Sequence, residues 1–355
     1  MFCIAAFIVL LIIGIFSARY RKLAKRAWGC TLRRVTFRPC DTSFKEEMKG
    51  KMLSKVALKT PRLVKTADVA IEVGAALLVI LTIWSFLIVV KAGLNLYVYG
   101  TCNPSNSSSC SLGSEACSIE TATPSFWTSV KEFKVQNWIG NEAKNFAKTV
   151  EAIPTRMQNW KAQDYLPANV TYLNKYDASK PTALEIIDPG CQFCKQLYGN
   201  IETAGFANNY NLAYIAYPIK GTGDSYKFKN SLVVTQYLEA IRLQPLAGSD
   251  RPVDWKIVDR IFTGFDDKDV SWQIAINSLM NNDQTRQLLD GWLKEFGYSD
   301  AQIAQIKQTA ASQQVTDIIN ANRQIVEKKV KTVKIPTIIF GGRRHDGVVS
   351  PSGLK

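Results

Sequence analysis

Two stretches near the start of the chain are apolar and carry no charged side chain. Met1–Ala18 and residues 73–90 both lack Asp, Glu, Lys and Arg, and a helix needs about 17–25 such residues to cross the core of a bilayer. We predict two transmembrane helices, over residues 1–18 and 69–99. A cleaved signal peptide is the alternative for the first stretch, but no positive charge precedes it and Phe16-Ser17-Ala18 does not match a small-x-small cleavage site.

Beyond residue 169 the pattern changes to short apolar runs separated by segments with helical periodicity. Four runs are typical of strands: Thr171–Tyr176, Ala183–Ile187, Leu212–Ile219 and Thr337–Phe340. Residues 225–331 repeat apolar positions at helical spacing, which predicts an inserted helical domain. After the last run, Gly341–Gly347 predicts a hairpin turn and Val348–Val349 its return strand. Residues 169–355 are therefore predicted to form an α/β domain.

Residues 100–168 connect these two parts of the chain. Thr101–Thr123 is rich in Ser, Asn and Gly, which is typical of an exposed linker. Phe126–Tyr165 then repeats apolar residues at helical spacing. This helical stretch either forms a membrane-proximal stalk or dimerising surface, or packs against the core of the following domain. The sequence leaves both interpretations open.

Positive charge is concentrated in one segment. The net charge is +14, and residues 19–68 supply +11 of it, because fifteen Lys and Arg there stand against four Asp and Glu. The rest of the chain is nearly balanced, which argues against a nucleic-acid-binding surface. A basic loop between two spans stays in the cytoplasm, either as a plain anchor loop or as a surface helix on the anionic leaflet of the bilayer. We therefore predict a cell-membrane protein whose residues beyond about 100 lie outside the cytosol, in the periplasm or at the cell surface.

Five of the eight cysteines lie in the part predicted to be outside the cytosol, where disulfides form and persist. Cys102, Cys110 and Cys117 belong to the linker and cannot all pair with one another. We predict one linker disulfide and one spare thiol. An alternative has the spare thiol exchange electrons with Cys191 and Cys194, as an internal relay.

Cys191-Gln192-Phe193-Cys194 is compatible with disulfide chemistry or with a metal site. Structural zinc usually takes four Cys or His ligands, whereas this part of the chain offers one closely spaced thiol pair and a single histidine, His345. Zinc held by this pair and the linker cysteines is the weaker interpretation, and we predict no metal and no cofactor.

The residues around the thiol pair favour redox chemistry. Ala183–Ile187 predicts a buried strand, Asp188-Pro189-Gly190 breaks it, and the residues from Lys195 onward predict a helix. Cys191 would then lie at a helix N-terminus. Backbone N–H groups and the positive end of the helix dipole stabilise a thiolate at such a position.

Three features in order resemble the thioredoxin-fold disulfide oxidoreductases of the bacterial envelope, most nearly the DsbA-like branch. They are the active-site segment Ala183–Lys195, the segment Val333–Phe340 with its proline, and the helical stretch between them. The resemblance covers residues 170–355. It implies an α/β, thioredoxin-like fold with an inserted helical domain, here preceded by two transmembrane helices.

The resemblance also implies roles for the two thiols and an acid. Cys191 is the reachable, attacking thiolate with a lowered pKa, and Cys194 is the more buried thiol that resolves the mixed disulfide. Glu185 is a buried acid with a raised pKa that takes the proton from Cys194. The alternative for Glu185 is an edge-strand residue facing solvent. Neither residue between the cysteines is charged, although oxidants of the family often carry His there.

A second group of roles concerns the bound substrate. Pro336 is expected to be cis and is assigned to the catalytic group, because it places the backbone of Ile335 against Cys191 for pairing with an extended substrate. Gln192, Phe193 and Ile335 are the implied substrate-binding residues. Arg343, Arg344 and His345 are expected on a solvated turn and receive no role. The family's C-terminal helix does not follow the hairpin, so a partner, the Phe126–Tyr165 helix or further sequence would cover that face.

The resulting hypothesis is a membrane-anchored, extracytoplasmic thiol–disulfide oxidoreductase. Its partners would be the lipid bilayer, exported proteins that carry cysteines, and a membrane redox partner, with no nucleic acid. A reductase or isomerase is the nearest alternative. A non-catalytic, thioredoxin-fold scaffold subunit of an envelope secretion or conjugation complex is the alternative from another class.

Overall fold

The computed structural model describes residues 18–35, 63–104, 115–119 and 126–355, with a few isolated residues before 59. The chain divides into two compact units, Met1–Val90 and Lys91–Lys355. Of the first predicted transmembrane helix, residues 1–18, only Phe7, Val9 and Ala18 are among the described residues.

The first unit contains two helices among its described residues. Helix α1 spans Ala18–Val35 and helix α2 begins at Val64 and ends at Tyr99, in the second unit. Lys49 forms ion pairs of 2.7 and 2.8 Å with Asp68 and Glu72 near the start of α2. Within the part of the chain that the structure describes, α2 is the one helix long and apolar enough to cross a membrane. It contains the second predicted span.

The second unit starts with the last residues of α2. Tyr99 and Val98 pack with Ala152 and Val333 in a small apolar cluster. The predicted Phe126–Tyr165 helix is divided, because Phe133 has a φ of 56° and interrupts it. The segment forms helices α3 and α4 and two short 3₁₀ turns: Phe126–Lys131, Val135–Ala152, Ile153–Arg156 and Ala162–Tyr165.

Six strands are described in the second unit, in two sheets. They are β1 Cys117–Ser118, β2 Thr182–Ile187, β3 Asn211–Ala216, β4 Lys334–Ile335, β5 Thr337–Phe340 and β6 Arg343–Asp346. The main sheet has the order β3-β2-β5-β6, with β2 and β3 parallel and the other neighbours antiparallel. All six residues of β2 are buried. The position of this central strand therefore fixes the position of the turn that follows its carboxyl end.

Two strand predictions are wrong. Thr171–Tyr176 forms no strand, and only Tyr172 makes an isolated bridge, to Ala213. The return strand of the hairpin is β6 rather than Val348–Val349. Gly341 and Gly342 have φ values of 54° and 75° and close a tight turn of two residues, which is the turn length that suits a hairpin.

The early return changes the surroundings of the residues after the turn. Arg344 is only 6% exposed and donates a hydrogen bond of 2.7 Å to the carbonyl oxygen of Val330. It also forms an ion pair of 3.0 Å with Asp346. Arg343, Arg344 and His345 therefore belong to an edge strand. The prediction that they lie on a solvated turn is wrong.

Apart from β3, the chain between the thiol pair and β4 is mostly helical. The helices are α5 Gln192–Ala204, α6 Ser231–Leu243, α7 Val253–Thr263, α8 Trp272–Ile274, α9 Asn282–Glu295, α10 Asp300–Ala310 and α11 Gln313–Gln324. Shorter turns are the 3₁₀ segments Phe206–Asn208 and Pro351–Leu354 and the π-helical segments Ala275–Leu279 and Ile325–Val330. The thioredoxin-like fold with an inserted helical block is therefore present. The predicted domain boundaries stay predictions.

A buried polar cluster fastens the inserted helices to the sheet. Arg242 of α6 is wholly buried and forms ion pairs of 2.9 Å with Asp254 and 3.2 Å with Glu239. Its guanidinium also donates to the carbonyl oxygen of Tyr214 on β3, at 3.2 Å, and lies over the ring of Tyr214. Breaking one partner of such a cluster leaves a buried charge uncompensated, so the loss of Glu239 or Asp254 is expected to destabilise the attachment of α6 to β3.

Candidate active site

The buried strand β2 delivers the first thiol to a helix. Cys191 directly precedes α5 and has an extended backbone, with φ −81° and ψ 118°. The turn before it is closely packed against the inserted helices. A Cβ atom at Gly190 would lie 2.3 Å from Cβ of Phe228, so only glycine fits there. The first thiol thus lies at a helix N-terminus, where anionic sulfur is stabilised.

A loop with a cis proline lies opposite Cys191. The Ile335–Pro336 peptide bond is cis, which confirms the sequence prediction. Sγ of Cys191 lies 3.7 Å from the carbonyl oxygen of Ile335. Gly347 donates a backbone hydrogen bond of 2.7 Å to the carbonyl oxygen of Pro336, which ties this loop to the end of the hairpin. The backbone of Ile335 is therefore presented beside the sulfur atom.

Cys191 is bonded to a cysteine of the linker and not to Cys194. Its Sγ forms a disulfide of 2.12 Å with Sγ of Cys117, with the two Cα atoms 6.5 Å apart. Both cysteines are buried, and Cys191 is 0% exposed. The prediction of a reachable Cys191 is wrong for this state, because the linker segment 115–119 covers the sulfur.

Backbone hydrogen bonds hold segment 115–119 in an extended conformation against the proline loop. Strand β1 pairs antiparallel with β4, so that Cys117 is opposite Ile335. The N–H of Ile119 donates to the carbonyl oxygen of Val333 at 3.0 Å, and the N–H of Val348 donates to the carbonyl oxygen of Glu115 at 3.1 Å. The segment thereby adds an antiparallel strand to the loop, which is the geometry of peptide recognition by β-augmentation.

One cation also holds this segment. Nζ of Lys227 donates a hydrogen bond of 3.2 Å to the carbonyl oxygen of Ser118. The side chain of Lys227 remains in contact with solvent. A lysine therefore lies at the edge of the groove that holds segment 115–119.

Cys194 is the free thiol of the pair. It is wholly buried, and its Sγ accepts a hydrogen bond of 3.4 Å from the N–H of Asp188. Burial raises the pKa of the Cys194 thiol well above its ordinary value, and the nearby carboxyl groups of Glu185 and Asp188 raise it further. Cys194 is therefore a protonated thiol that needs a proton acceptor before it can attack.

Glu185 is buried within β2, as the sequence predicts. Its residue is 1% exposed, and Oε1 has no hydrogen-bond partner among the described residues. Burial raises the pKa of Glu185 to about 8. The alternative of a solvent-facing edge residue is wrong, because β3 and β5 flank β2 on both sides. Its role in proton transfer stays a prediction.

Sequence reasoning missed the second acid of the site, Asp188, and treated it as a strand breaker. It is 0% exposed. Its carboxylate accepts hydrogen bonds from the N–H of Gly190 at 2.8 Å, from the N–H of Ile219 at 2.7 Å and from the hydroxyl of Ser231. Burial raises the pKa of Asp188 to about 6, and these donors oppose the rise. The position of Asp188 directly before Pro189-Gly190 indicated only a turn, and no local pattern pointed to its contacts with Ile219 and Ser231.

Gln273 is a second residue that the sequence did not reveal. Its side-chain amide is buried and donates hydrogen bonds of 3.1 Å to the carbonyl oxygen of Pro189 and 3.0 Å to that of Cys191. It comes from α8 in the inserted helical block, 82 residues after Cys191. The insertion therefore orients the turn that carries the thiol.

The predicted substrate-binding residues differ in their surroundings. Gln192 is exposed and Phe193 is half-buried, whereas Ile335 is fully buried and pairs with Cys117. Only Ile335 is brought onto segment 115–119 by a described contact. Among the described residues, no group of three or more His, Cys, Asp and Glu side chains could hold a metal ion.

Comparison with known proteins gives similarities at the level of solved structures. No family model and no curated protein matches the chain. A thioredoxin-like oxidoreductase from Silicibacter pomeroyi DSS-3 is 18% identical over 54% of this chain and 90% of its own, with a TM-score of 0.37. The thiol-disulfide exchange protein alpha-DsbA2 from Wolbachia pipientis is 15% identical over 54% of this chain and 87% of its own, with a TM-score of 0.37.

A third similar structure covers more of the chain. Proteus mirabilis ScsC, in a transitional conformation, is 15% identical over 64% of this chain and 90% of its own, with a TM-score of 0.35. The chain resembles DsbA-like thiol–disulfide oxidoreductases. What its site can do follows from the atoms around Cys191.

Proposed function

We propose that the protein is a thiol–disulfide oxidoreductase that exchanges disulfides with cysteines of exported proteins through Cys191 and Cys194. The observation that carries this proposal is the disulfide between Cys191 and a cysteine on an extended segment paired with the cis-proline loop. A site that holds a cysteine-bearing strand in this way has the geometry needed to bind a substrate during exchange.

The catalytic cycle starts from a Cys191–Cys194 disulfide. A substrate thiolate attacks Sγ of Cys191, the Cys191–Cys194 bond breaks, and Cys194 leaves as a thiolate that takes a proton from Glu185. The second substrate thiolate then attacks the sulfur that is bonded to Cys191, and Cys191 leaves as a thiolate stabilised at the start of α5. The substrate is oxidised to a disulfide and the Cys191–Cys194 pair is reduced to two thiols.

Several surrounding groups support this cycle. Glu185 has a pKa raised by burial to about 8, so near neutral pH it holds a proton that it can give to Cys194 and later take back. Gln273 orients the carbonyl groups on both sides of Gly190. Pro336 and Ile335 present the backbone with which a substrate pairs.

The location of the site belongs to the same proposal. Helix α2 would cross the cell membrane, with the basic residues before it in the cytoplasm and the domain that carries Cys191 outside, in the periplasm or at the cell surface. A second span over residues 1–18 would complete the anchor. A membrane redox partner would re-oxidise the pair after each cycle.

The direction of exchange is decided by the reduction potential of the Cys191–Cys194 pair. The full chain, purified in detergent, is equilibrated with glutathione redox buffers, and free thiols are counted after acid trapping and alkylation. An oxidase is expected to show a potential well above that of thioredoxin, which is about −270 mV. A value near that of thioredoxin would assign the protein to the reductases instead.

Catalysis itself is tested with a synthetic peptide that carries two reduced cysteines. The oxidised protein is expected to convert it to a disulfide, and Cys191→Ser is expected to lose this activity completely. Reduced Cys194→Ala, mixed with the disulfide form of the peptide, should accumulate a mixed disulfide between Cys191 and the peptide, because no Cys194 thiol is present to resolve it. If the wild type did not oxidise the peptide and Cys191→Ser left cellular function unchanged, a scaffold role without catalysis would replace this proposal.

A further inference from the structure

We propose that Cys117 is a third redox-active cysteine and that segment 115–119 is an internal substrate which closes the site until Cys194 releases it. This inference rests on the proposed function and adds a regulatory step to it. In this proposal Cys117 takes part in disulfide exchange with Cys191, and the bond between them is not purely structural.

The first argument is the position of the segment. Cys117 comes 74 residues before Cys191, yet it lies opposite Ile335 in register with the cis-proline loop. Backbone pairing continues on either side of β1. The N–H of Ile119 donates to the carbonyl oxygen of Val333 at 3.0 Å, and the carbonyl oxygen of Glu115 accepts from the N–H of Val348 at 3.1 Å. A substrate strand would need the same loop edge and the same sulfur, so the segment and a substrate cannot be bound together.

The second argument is the state of the Cys194 thiol. Cys194 lies one helical turn from Cys191 and is reduced and buried, while Cys191 is bonded to Cys117. A structural disulfide does not require a free thiol next to it. This arrangement instead has the composition of a mixed disulfide before its resolution, with the linker cysteine in the place of the substrate.

The release step balances without an added oxidant. Cys194 gives its proton to the carboxylate form of Glu185, and its thiolate attacks Sγ of Cys191. The Cys117–Cys191 bond breaks, the Cys191–Cys194 bond forms, and Cys117 leaves as a thiolate that takes up a proton. One disulfide and one thiol are present before and after, so the step is an isomerisation.

The closed form has a kinetic consequence. A segment on the same chain competes at an effective concentration in the millimolar range. A peptide supplied at about 0.1 mM is therefore expected to react about tenfold more slowly with the intact protein than with a protein that cannot close.

The covalent part is tested by disulfide mapping on the full chain in detergent. Samples equilibrated in glutathione buffers are quenched with acid, digested and analysed by mass spectrometry. We expect a Cys117–Cys191 peptide pair in the wild type and near-complete conversion to it in Cys194→Ala. Absence of this pair from Cys194→Ala at every glutathione ratio would overturn the inference.

A register variant serves as the matched control. In Cys117→Ser combined with Ser118→Cys, the thiol moves by one residue and so to the opposite face of the strand. This variant should form no link to Cys191, although it keeps a thiol in the same segment. A link formed equally well by the shifted thiol would show that pairing with β4 does not direct the bond, and would contradict the inference.

The kinetic part separates this inference from the proposed function. Oxidation of the two-cysteine peptide is measured for the wild type and for Cys117→Ser, both at 0.1 mM peptide, a concentration about tenfold below the effective concentration of the segment. A rate about tenfold higher in Cys117→Ser supports closure, and equal rates overturn it while the proposed function stands. Failure of Cys117→Ser to oxidise the peptide at all would reject both.

Discussion

Two buried carboxyl groups on the same segment have opposite surroundings. Glu185 lies inside the central strand, and one of its oxygens has no partner among the described residues. Asp188 lies in the turn after the strand and accepts hydrogen bonds from Gly190, Ile219 and Ser231. Burial raises both pKa values, that of Glu185 to about 8 and that of Asp188 to about 6.

The difference shows how one site separates proton transfer from structural support. Donors around a buried carboxylate offset the cost of removing its charge from water, so Asp188 can stay ionised while it joins the turn to two other segments. Without such donors, Glu185 holds a proton near neutral pH and can exchange it with Cys194, whose pKa it raises. Four predictions test this distinction.

The largest effect is expected from Asp188→Ala. The change leaves two backbone N–H groups and the Ser231 hydroxyl without their acceptor, in a place where water does not enter. An unpaired buried donor costs about 1–3 kcal/mol, so we expect a loss of about 3–5 kcal/mol in the free energy of unfolding. Urea unfolding of the full chain in detergent, followed by tryptophan fluorescence, measures it.

The matched variant for this experiment is Glu185→Gln. It keeps the shape of the side chain and removes the carboxyl group whose pKa burial raises to about 8, so the free energy of unfolding at pH 7 should not fall and should rise by up to about 3 kcal/mol. Equal destabilisation by Asp188→Ala and Glu185→Gln would show that the two acids do not differ in structural role.

Glu185→Gln should instead slow the attack of Cys194. Removing a proton acceptor typically lowers such a rate by about 10²-fold or more. The measurement is the release of a peptide from its mixed disulfide with Cys191, over pH 6 to 9. In the wild type the rate should rise as Glu185 loses its proton near pH 8, whereas the variant should lack this rise. An unchanged pH profile would exclude Glu185 as the acceptor.

The features that the sequence predicted depend on short-range patterns. An apolar run followed by Asp-Pro-Gly and two cysteines predicts strand β2, the turn and helix α5, because each signal lies within a few residues. Burial of Glu185 follows from its apolar neighbours and from the position of β2 between two other strands. The cis bond at Pro336 was predicted from the resemblance to a known family. The contact between this proline loop and Cys191 joins residues that are far apart in the chain, so local sequence patterns do not reveal it.

The features that the sequence missed depend on contacts between distant residues. Gln273 is one of many polar residues in the inserted helices, and only the packing of α8 brings it to the carbonyl oxygen of Cys191. Cys117 could not be chosen from the three linker cysteines, because spacing along the chain does not give the register with Ile335. Asp188 fits a turn pattern. Its contacts with Ile219 and Ser231 are to residues far along the chain, which no local pattern indicates.

The third prediction separates the two acids by pH. Both pKa values are raised on folding, so each acid stabilises the folded state most when it is protonated in both states, and this contribution is lost as the pH rises. For Asp188 the loss occurs between about pH 3.8 and 6, and for Glu185 between about 4.5 and 8. Between pH 6 and 8 stability should fall by up to about 1.4 kcal/mol per pH unit.

Variants assign that slope to one acid. Glu185→Gln should remove the decline between pH 6 and 8, while Asp188→Asn should leave it and alter only the range below pH 6. Urea midpoints of the full chain, measured at intervals of half a pH unit from pH 4.5 to 8, provide the data. A decline between pH 6 and 8 that survives in Glu185→Gln would contradict the assignment.

The smallest effect concerns the cation that links the turn to the linker segment. Lys227 donates a hydrogen bond to Ser118 at 3.2 Å and interacts electrostatically with Asp188, so it connects the structural acid to the closed form of the site. Lys227→Met removes one hydrogen bond, worth about 0.5–1.5 kcal/mol, and should lower the ratio of Cys117–Cys191 to Cys191–Cys194 about two- to tenfold. Disulfide mapping at a fixed glutathione ratio gives this value, and Lys229→Met, which changes an exposed lysine two residues further on, is the control. Equal ratios in both variants would mean that the strand pairing with β4 holds the segment without help from the Asp188 side of the site.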